Sequence, residues 1–122
     1  MLEYRYATQK DAELFYGKRP MSSMRAIVAV EDGIPIGIGG VYRQANHFVC
    51  FSEMKPEMRK HKKGILTVSR MVYEIIQRYN TVYAVASKNE KNSARLITHF
   101  GFVLVEINSD GEEVYVCKQP RH

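Results

Sequence analysis

The chain has 122 residues, a formal net charge of +5, 45% hydrophobic residues and 25% charged ones. That is one domain (residues 1–122), long enough for a single core without staples, with the composition of an ordinary globular protein rather than a disordered or fibrous one. No apolar run approaches the roughly 20 residues of a membrane span, and the charges scattered through the first residues do not read as a signal peptide.

The two cysteines, Cys50 and Cys117, have neither a metal-ligand spacing nor a disulfide framework. They read as small buried hydrophobes in a reducing cytoplasm. No metal site is expected. The positive charge permits nucleic acid, an acidic membrane surface or a polyphosphate ligand as partner. Much of the excess lies between Lys55 and Lys63. A focused cluster suits a small anion better than a long polyanion, and no DNA- or RNA-binding motif is present.

Residues 2–7 alternate apolar and polar and predict a strand. Thr8 then reads as an N-cap with Asp11 as its acidic partner, opening a short helix over residues 9–16 that Gly17 ends. Residues 25–30 (RAIVAV) are a strand, Glu31-Asp32-Gly33 a hairpin turn, and residues 34–42 (IPIGIGGVY) the returning strand. Gly37, Gly39 and Gly40 predict a bulge there or the close approach of another group. They lie in a strand pattern and precede no helix, so they do not form a nucleotide loop.

After a turn over residues 43–47, residues 48–54 (FVCFSEM) form a further strand. A loop loaded with cations follows: Arg59, Lys60, His61, Lys62 and Lys63, closing on Gly64, where a helix is expected to begin. Its stripe of Ile65, Val68, Val72, Ile75, Ile76 and Tyr79 is that of a helix lying on a sheet. A helix N-terminus presents unpaired N–H groups and the positive end of the macrodipole. Placed beside so many cations, it makes a phosphate site the first functional expectation. The bland reading is a solvated basic turn.

Residues 82–86 (VYAVA) predict a buried strand, parallel to 48–54 through a right-handed crossover. Asn92 or Ser93 caps a helix carrying Leu96, Ile97 and Phe100, with Gly101 as its stop. Residues 102–107 and 113–117 are the last strands, joined by a turn at Asn108-Ser109-Asp110-Gly111, and the tail from 118 frays. The order is β-α-β-β-β-α-β-α-β-β. It predicts an α/β (α+β) fold: one mixed, mostly antiparallel sheet of about six or seven strands with helices on both faces.

That order, with a cationic loop between the fourth strand and the next helix, resembles the GCN5-related N-acetyltransferase (GNAT) superfamily. The family's acetyl-CoA loop follows Arg/Gln-x-x-Gly-x-Gly/Ala, often after Pro-Glu. Here Pro56-Glu57-Met58 leads into Arg59-Lys60-His61-Lys62-Lys63-Gly64. The first and sixth positions match, and Lys62 stands where the family has its fourth-position glycine. Asn92-Ser93-Ala94-Arg95-Leu96 through Phe100-Gly101-Phe102 is similar to the family's last motif. Ser23-Met24-Arg25-Ala26, Gly37-Ile38-Gly39-Gly40 and Phe51-Ser52-Glu53-Met54-Lys55-Pro56-Glu57 further resemble small GNAT-like proteins of tailed bacteriophages. That would place the protein in a host cytoplasm.

The resemblance implies an N-acetyltransferase using acetyl-CoA on an amine, small-molecule or protein, and admits a homodimer. It assigns cofactor binding to Met54, Arg59, Lys60, His61, Lys62, Lys63, Gly64 and Asn92. The Met54 N–H would polarise the thioester carbonyl, from a fourth strand splayed away from the fifth. Glu53, the one carboxylate inside that strand end, is the catalytic candidate, as general base toward the amine. Asn89 is a further candidate for contacting the CoA arm. The family often reprotonates the thiolate with a Tyr where this chain has Ile97; His99 lies two residues on. Lys62 and Ile97 favour the alternative of a catalytically weak or inactive GNAT-fold binding or structural protein.

Overall fold

The computed structural model describes residues 2–19, 23–86 and 98–118. In chain order these form β1 (Leu2–Tyr6), α1 (Gln9–Tyr16), β2 (Met24–Glu31), β3 (Ile34–Gln44), β4 (His47–Met54), a 3-10 turn (Pro56–Lys60), α2 (Lys62–Ile76), β5 (Thr81–Ala86), β6 (Val103–Ile107) and β7 (Glu113–Lys118). The strands make one seven-stranded sheet in the order β1-β2-β3-β4-β5-β7-β6. All neighbours are antiparallel except β4 and β5, which run parallel as the crossover predicts.

Local chemistry sets the first elements. Thr8 accepts a hydrogen bond from the Asp11 N–H at 3.1 Å, and the Asp11 carboxylate accepts one from the Thr8 N–H at 2.9 Å. This capping box starts α1, and Gly17, at φ 74°, ends it. The β2–β3 hairpin turns through Asp32 and Gly33, both left-handed at φ 52° and 81°. That is the twist a two-residue hairpin needs. The β3–β4 connection is also tight, since Gln44 pairs with His47 and Ala45 takes φ 53°. The expected turn over 43–47 is therefore shorter, because alanine at a left-handed position carries no turn signature.

The two faces of the sheet are covered differently. On one, α2 buries Val68, Val72, Ile75 and Ile76 against Ile27, Ala29, Val41, Val82 and Ala84. On the other, Ala12 of α1 packs with Ala26 and Ile38, ringed by Phe15, Tyr16, Met24 and Phe51. Burying a side chain such as Ile75 or Val72 stabilises the fold by about 1.5–3 kcal/mol. Gly39 of β3 lies under α2: a Cβ there would sit 3.1 Å from Val72 Cγ2. Of the two expectations for the β3 glycines, close approach of a helix explains this one.

Residues 98–99 are helical and Gly101, at φ 89°, stops the turn. The rest of the helix expected from Asn92 lies outside the described residues, as do Asn89, Ile97 and the tail beyond Lys118. No helix among the described residues is long and apolar enough to cross a membrane.

Candidate active site

The sheet comes apart at one place. β4 pairs with β3 along its whole length, from Gln44↔His47 to Gly37↔Met54. Its pairing with β5 covers only Val49↔Tyr83 and Cys50↔Ala84. Beyond Ala84, β5 stays with β7, pairing Val85 with Val114 and Ala86 with Glu113. Each strand keeps its partner on the outer side, so the two halves of the sheet diverge past Cys50, and the end of β4 borders a gap.

The register decides which backbone groups face that gap. The Lys55 N–H donates to the Ile36 carbonyl at 2.8 Å. Met54 and Gly37 are therefore a non-hydrogen-bonded pair. The N–H and C=O of Met54 point away from β3 into the gap, and so do those of Ser52 two residues back. The main chain of Glu53 points the other way, to β3. The Met54 N–H therefore faces away from β3.

Beside this edge is a small cleft of about 20 Å3, open to solvent, lined by Gly37, Ser52, Glu53, Met54, Met58 and Val68 among others. Met58, only 2% exposed, forms its floor. It is placed there by the 3-10 turn, in which the Met58 N–H donates to Lys55 O and the His61 N–H to Met58 O, both at 2.9 Å. A featureless cationic loop was expected here. The signal for the turn is Pro56 at its first residue with Glu57 behind it, a helix-start pattern.

The turn divides the expected cation cluster. Arg59 and Lys60 are exposed on the 3-10 turn, and Lys62 and Lys63 are exposed on the first turn of α2. The helix begins at Lys62, two residues before Gly64. The Ile65 N–H is already bonded to His61 O at 2.9 Å. The N–H groups of Lys62, Lys63 and Gly64 are those the helix itself leaves for a ligand.

His61 does something else. Its Nε2 lies 2.7 Å from Glu31 Oε2, tying the start of α2 to the β2–β3 hairpin. Gly64 is buried, and a Cβ there would meet Tyr4 Oη at 2.7 Å and Leu2 Cδ2 at 2.8 Å. The close approach it permits in this fold is that of β1. Lys62, the departure from the glycine pattern, is exposed.

Glu53 lies on the opposite face of β4 from the cleft floor, the face that carries Phe51 and is covered by α1. Burial, then the nearby Glu53 carboxylate, then Tyr42, raise the Tyr16 pKa well above the usual phenol range. Tyr16 therefore stays a donor at any working pH. Nothing in sequence spacing marks it, since it is simply the last residue of α1.

Cys50 stands where β4–β5 pairing ends. Its thiol is pushed up to about 12 by burial, with Cys117 adding to the shift. At neutral pH it is a thiol and not a nucleophile. His99 is exposed, its ring edge-on to Phe100 with centroids 5.3 Å apart.

No family model matches the chain, and no curated protein matches it. Solved structures do match. An acetyltransferase of the GNAT family from Streptococcus pneumoniae aligns over 98% of this chain and 100% of its own, at TM-score 0.72 and 12% identity. A candidate acetyltransferase from Salmonella typhimurium, solved with its cofactor acetyl-CoA, aligns over 99% of this chain and 95% of its own, at TM-score 0.72 and 12% identity. A GNAT superfamily phosphinothricin acetyltransferase from Sinorhizobium meliloti, in complex with acetyl-CoA, aligns over 97% of this chain and 88% of its own, at TM-score 0.71 and 15% identity. The chain has the GNAT fold over essentially its whole length.

Proposed function

We propose that the protein is an acetyl-CoA-dependent N-acetyltransferase that transfers acetyl directly from the thioester to an amine. The observation that carries this reading is the divergence of β4 from β5 past Cys50 and Ala84, with the backbone of Ser52 and Met54 turned into the gap. Two of the similar structures hold acetyl-CoA.

The residues present fit such a cofactor. Lys62, Lys63 and Gly64 offer N–H groups to a pyrophosphate, with exposed cations at 62 and 63 on the same helix turn and at 59 and 60 on the 3-10 turn before it. Ser52 and Met54 offer gap-facing main chain to an amide-bearing arm. When bound, acetyl-CoA supplies an activated acyl group on a thiol leaving group. The Met54 N–H, facing the gap, would donate to the acyl oxygen of a bound acetyl-CoA. Glu53 takes the proton that an alkylammonium, with a pKa of about 10, must lose before it attacks.

The C–N bond forms as the C–S bond breaks. The second amine proton reaches the departing thiolate through water, and Glu53 returns its proton to solvent. The Cys50 thiol argues against an acetyl-cysteine stage, which favours direct attack in a ternary complex. The setting is a cytoplasm, that of a host cell if the chain is phage-encoded.

Calorimetric titration with acetyl-CoA tests the binding half of this reading: saturable binding with a rise in melting temperature is expected, and no binding at millimolar ligand overturns it. Glu53→Gln tests the chemistry. It should lower turnover about 100-fold or more while leaving the acetyl-CoA Kd unchanged. Unchanged turnover would remove Glu53 from the role of base.

A further inference from the structure

Two neighbouring strand ends grip the start of α2. Leu2 of β1 and Glu31 of β2 are register partners. β1 lies against Gly64, the third residue of the helix, where a Cβ would meet Tyr4 Oη at 2.7 Å and Leu2 Cδ2 at 2.8 Å. Glu31 reaches the residue before the helix. Its Oε2 lies 2.7 Å from His61 Nε2, and the two side chains are only 25% and 26% exposed. The His61 N–H donates to Met58 O and its carbonyl accepts from the Ile65 N–H, both at 2.9 Å. His61 thus joins the 3-10 turn, α2 and the β2–β3 hairpin at one point. It occupies the N-cap position of α2, yet its side chain makes no cap. A capping side chain would occupy one of the first N–H groups of the helix. Here the ring is engaged by Glu31 instead.

From this geometry we infer that Glu31 is a positioning residue for the anion cradle at the start of α2, acting through His61, and that His61 holds the shape of the cradle rather than the phosphate. The inference rests on the transferase reading and adds to it a residue 30 positions from His61 along the chain. His61 and Gly64 flank Lys62 and Lys63, so the two strand contacts fix both ends of the segment that would face a pyrophosphate. N–H groups bind an anion best when their directions are set before it arrives, because ordering them on binding weakens affinity. The sign of the effect separates positioning from charge. Removing a negative charge near an anion site tightens binding by simple electrostatics, whereas loosening the cradle weakens it.

The test is calorimetric titration of the full chain with acetyl-CoA, beside hydrogen exchange of the cofactor-free protein. Glu31→Ala should raise the acetyl-CoA Kd about 5-fold and lower the protection of the Ile65 amide, which is bonded to His61, by a similar factor. Glu31→Gln should bring both back to within about 2-fold of wild type, because an amide can donate to or accept from either imidazole tautomer. A loss with Gln as large as with Ala overturns the inference, and so does tighter binding by both variants.

His61→Ala should match Glu31→Ala, and the double variant should lose no more than about 5-fold, as expected of two residues acting through one contact. Losses that multiply to about 25-fold would make His61 an independent phosphate ligand and overturn the inference. A lower melting temperature with Kd and Ile65 protection unmoved would make the pair merely structural. A wild-type protein that binds no acetyl-CoA sinks the transferase reading, and the inference with it; wild-type binding that Glu31→Ala leaves unchanged sinks the inference alone.

Discussion

The two edges of β4 have the same sequence and opposite fates. Toward β3, every residue from His47 to Met54 is in register, and the Lys55 N–H extends the ladder to Ile36. Toward β5, the ladder stops after Cys50. One edge holds the strand rigid, and the other has main-chain groups with no strand partner among the described residues. Unpaired buried backbone is costly, so leaving it at the mouth of an open cleft makes sense when water or a ligand can satisfy it. A reactive edge needs a rigid one behind it, since preorganised donors cost nothing to orient at the moment of reaction.

Proline separates the two edges most sharply. Met54→Pro removes a donor that points into the gap, while Glu53→Pro removes one bonded to β3. Met54→Pro should keep the fold and lower turnover about 100- to 1,000-fold, the loss typical of a missing oxyanion donor. Glu53→Pro should cost stability of about 1–3 kcal/mol by breaking the paired ladder. Melting curves beside steady-state rates check this. Equal destabilisation by both would mean that the Met54 N–H is bonded within the sheet after all.

A smaller effect is expected where α2 presses on the rigid side. Gly39→Ala places a Cβ 3.1 Å from Val72 Cγ2 and 3.4 Å from the Phe51 carbonyl. It should destabilise by about 1–3 kcal/mol through overpacking, read as a lower midpoint in urea. Acetyl-CoA affinity should change less than stability, because the gap edge of β4 is not moved directly.

The smallest effect concerns the anchor of α1. Asp11 is buried, which by itself raises its pKa, but hydrogen bonds from Thr8 and Arg5 outweigh burial and hold the carboxyl below its ordinary 3.8. A depressed folded-state pKa stabilises the protein above the unfolded value. That contribution is present above about pH 4 and is lost as the pH falls through the lower folded value. Asp11→Asn should flatten the acid side of the stability curve, measured by urea midpoints between pH 2 and 5. An unchanged acid slope would mean that other carboxylates carry it.

What could be read from sequence was local. The Thr8–Asp11 capping box, the Asp32-Gly33 turn and the stripe on α2 are each set within a few residues; the first two form as expected, and the stripe forms up to Ile76, where α2 ends and leaves Tyr79 beyond it. Glu53 could be singled out as a candidate because it is the one carboxylate at that strand end. The same locality sets what could not be read. The cations between 59 and 63 form one run along the chain, whereas the fold puts Arg59 and Lys60 on the 3-10 turn and Lys62 and Lys63 on α2, and pairs His61 with Glu31 from 30 residues away. Tyr16 gives no periodic signal, because the Glu53 carboxylate near it lies across the sheet.

The sequence by itself determined the elements, their order and so the mixed sheet, because hydrophobic period, caps and turn residues act over short spans of chain. Only the tertiary structure decided that β4 and β5 part at Cys50, that Met54 turns its N–H outward and that α1 brings Tyr16 to Glu53. Those depend on register and on the packing of both faces at once, and they involve residues with no common signature along the chain.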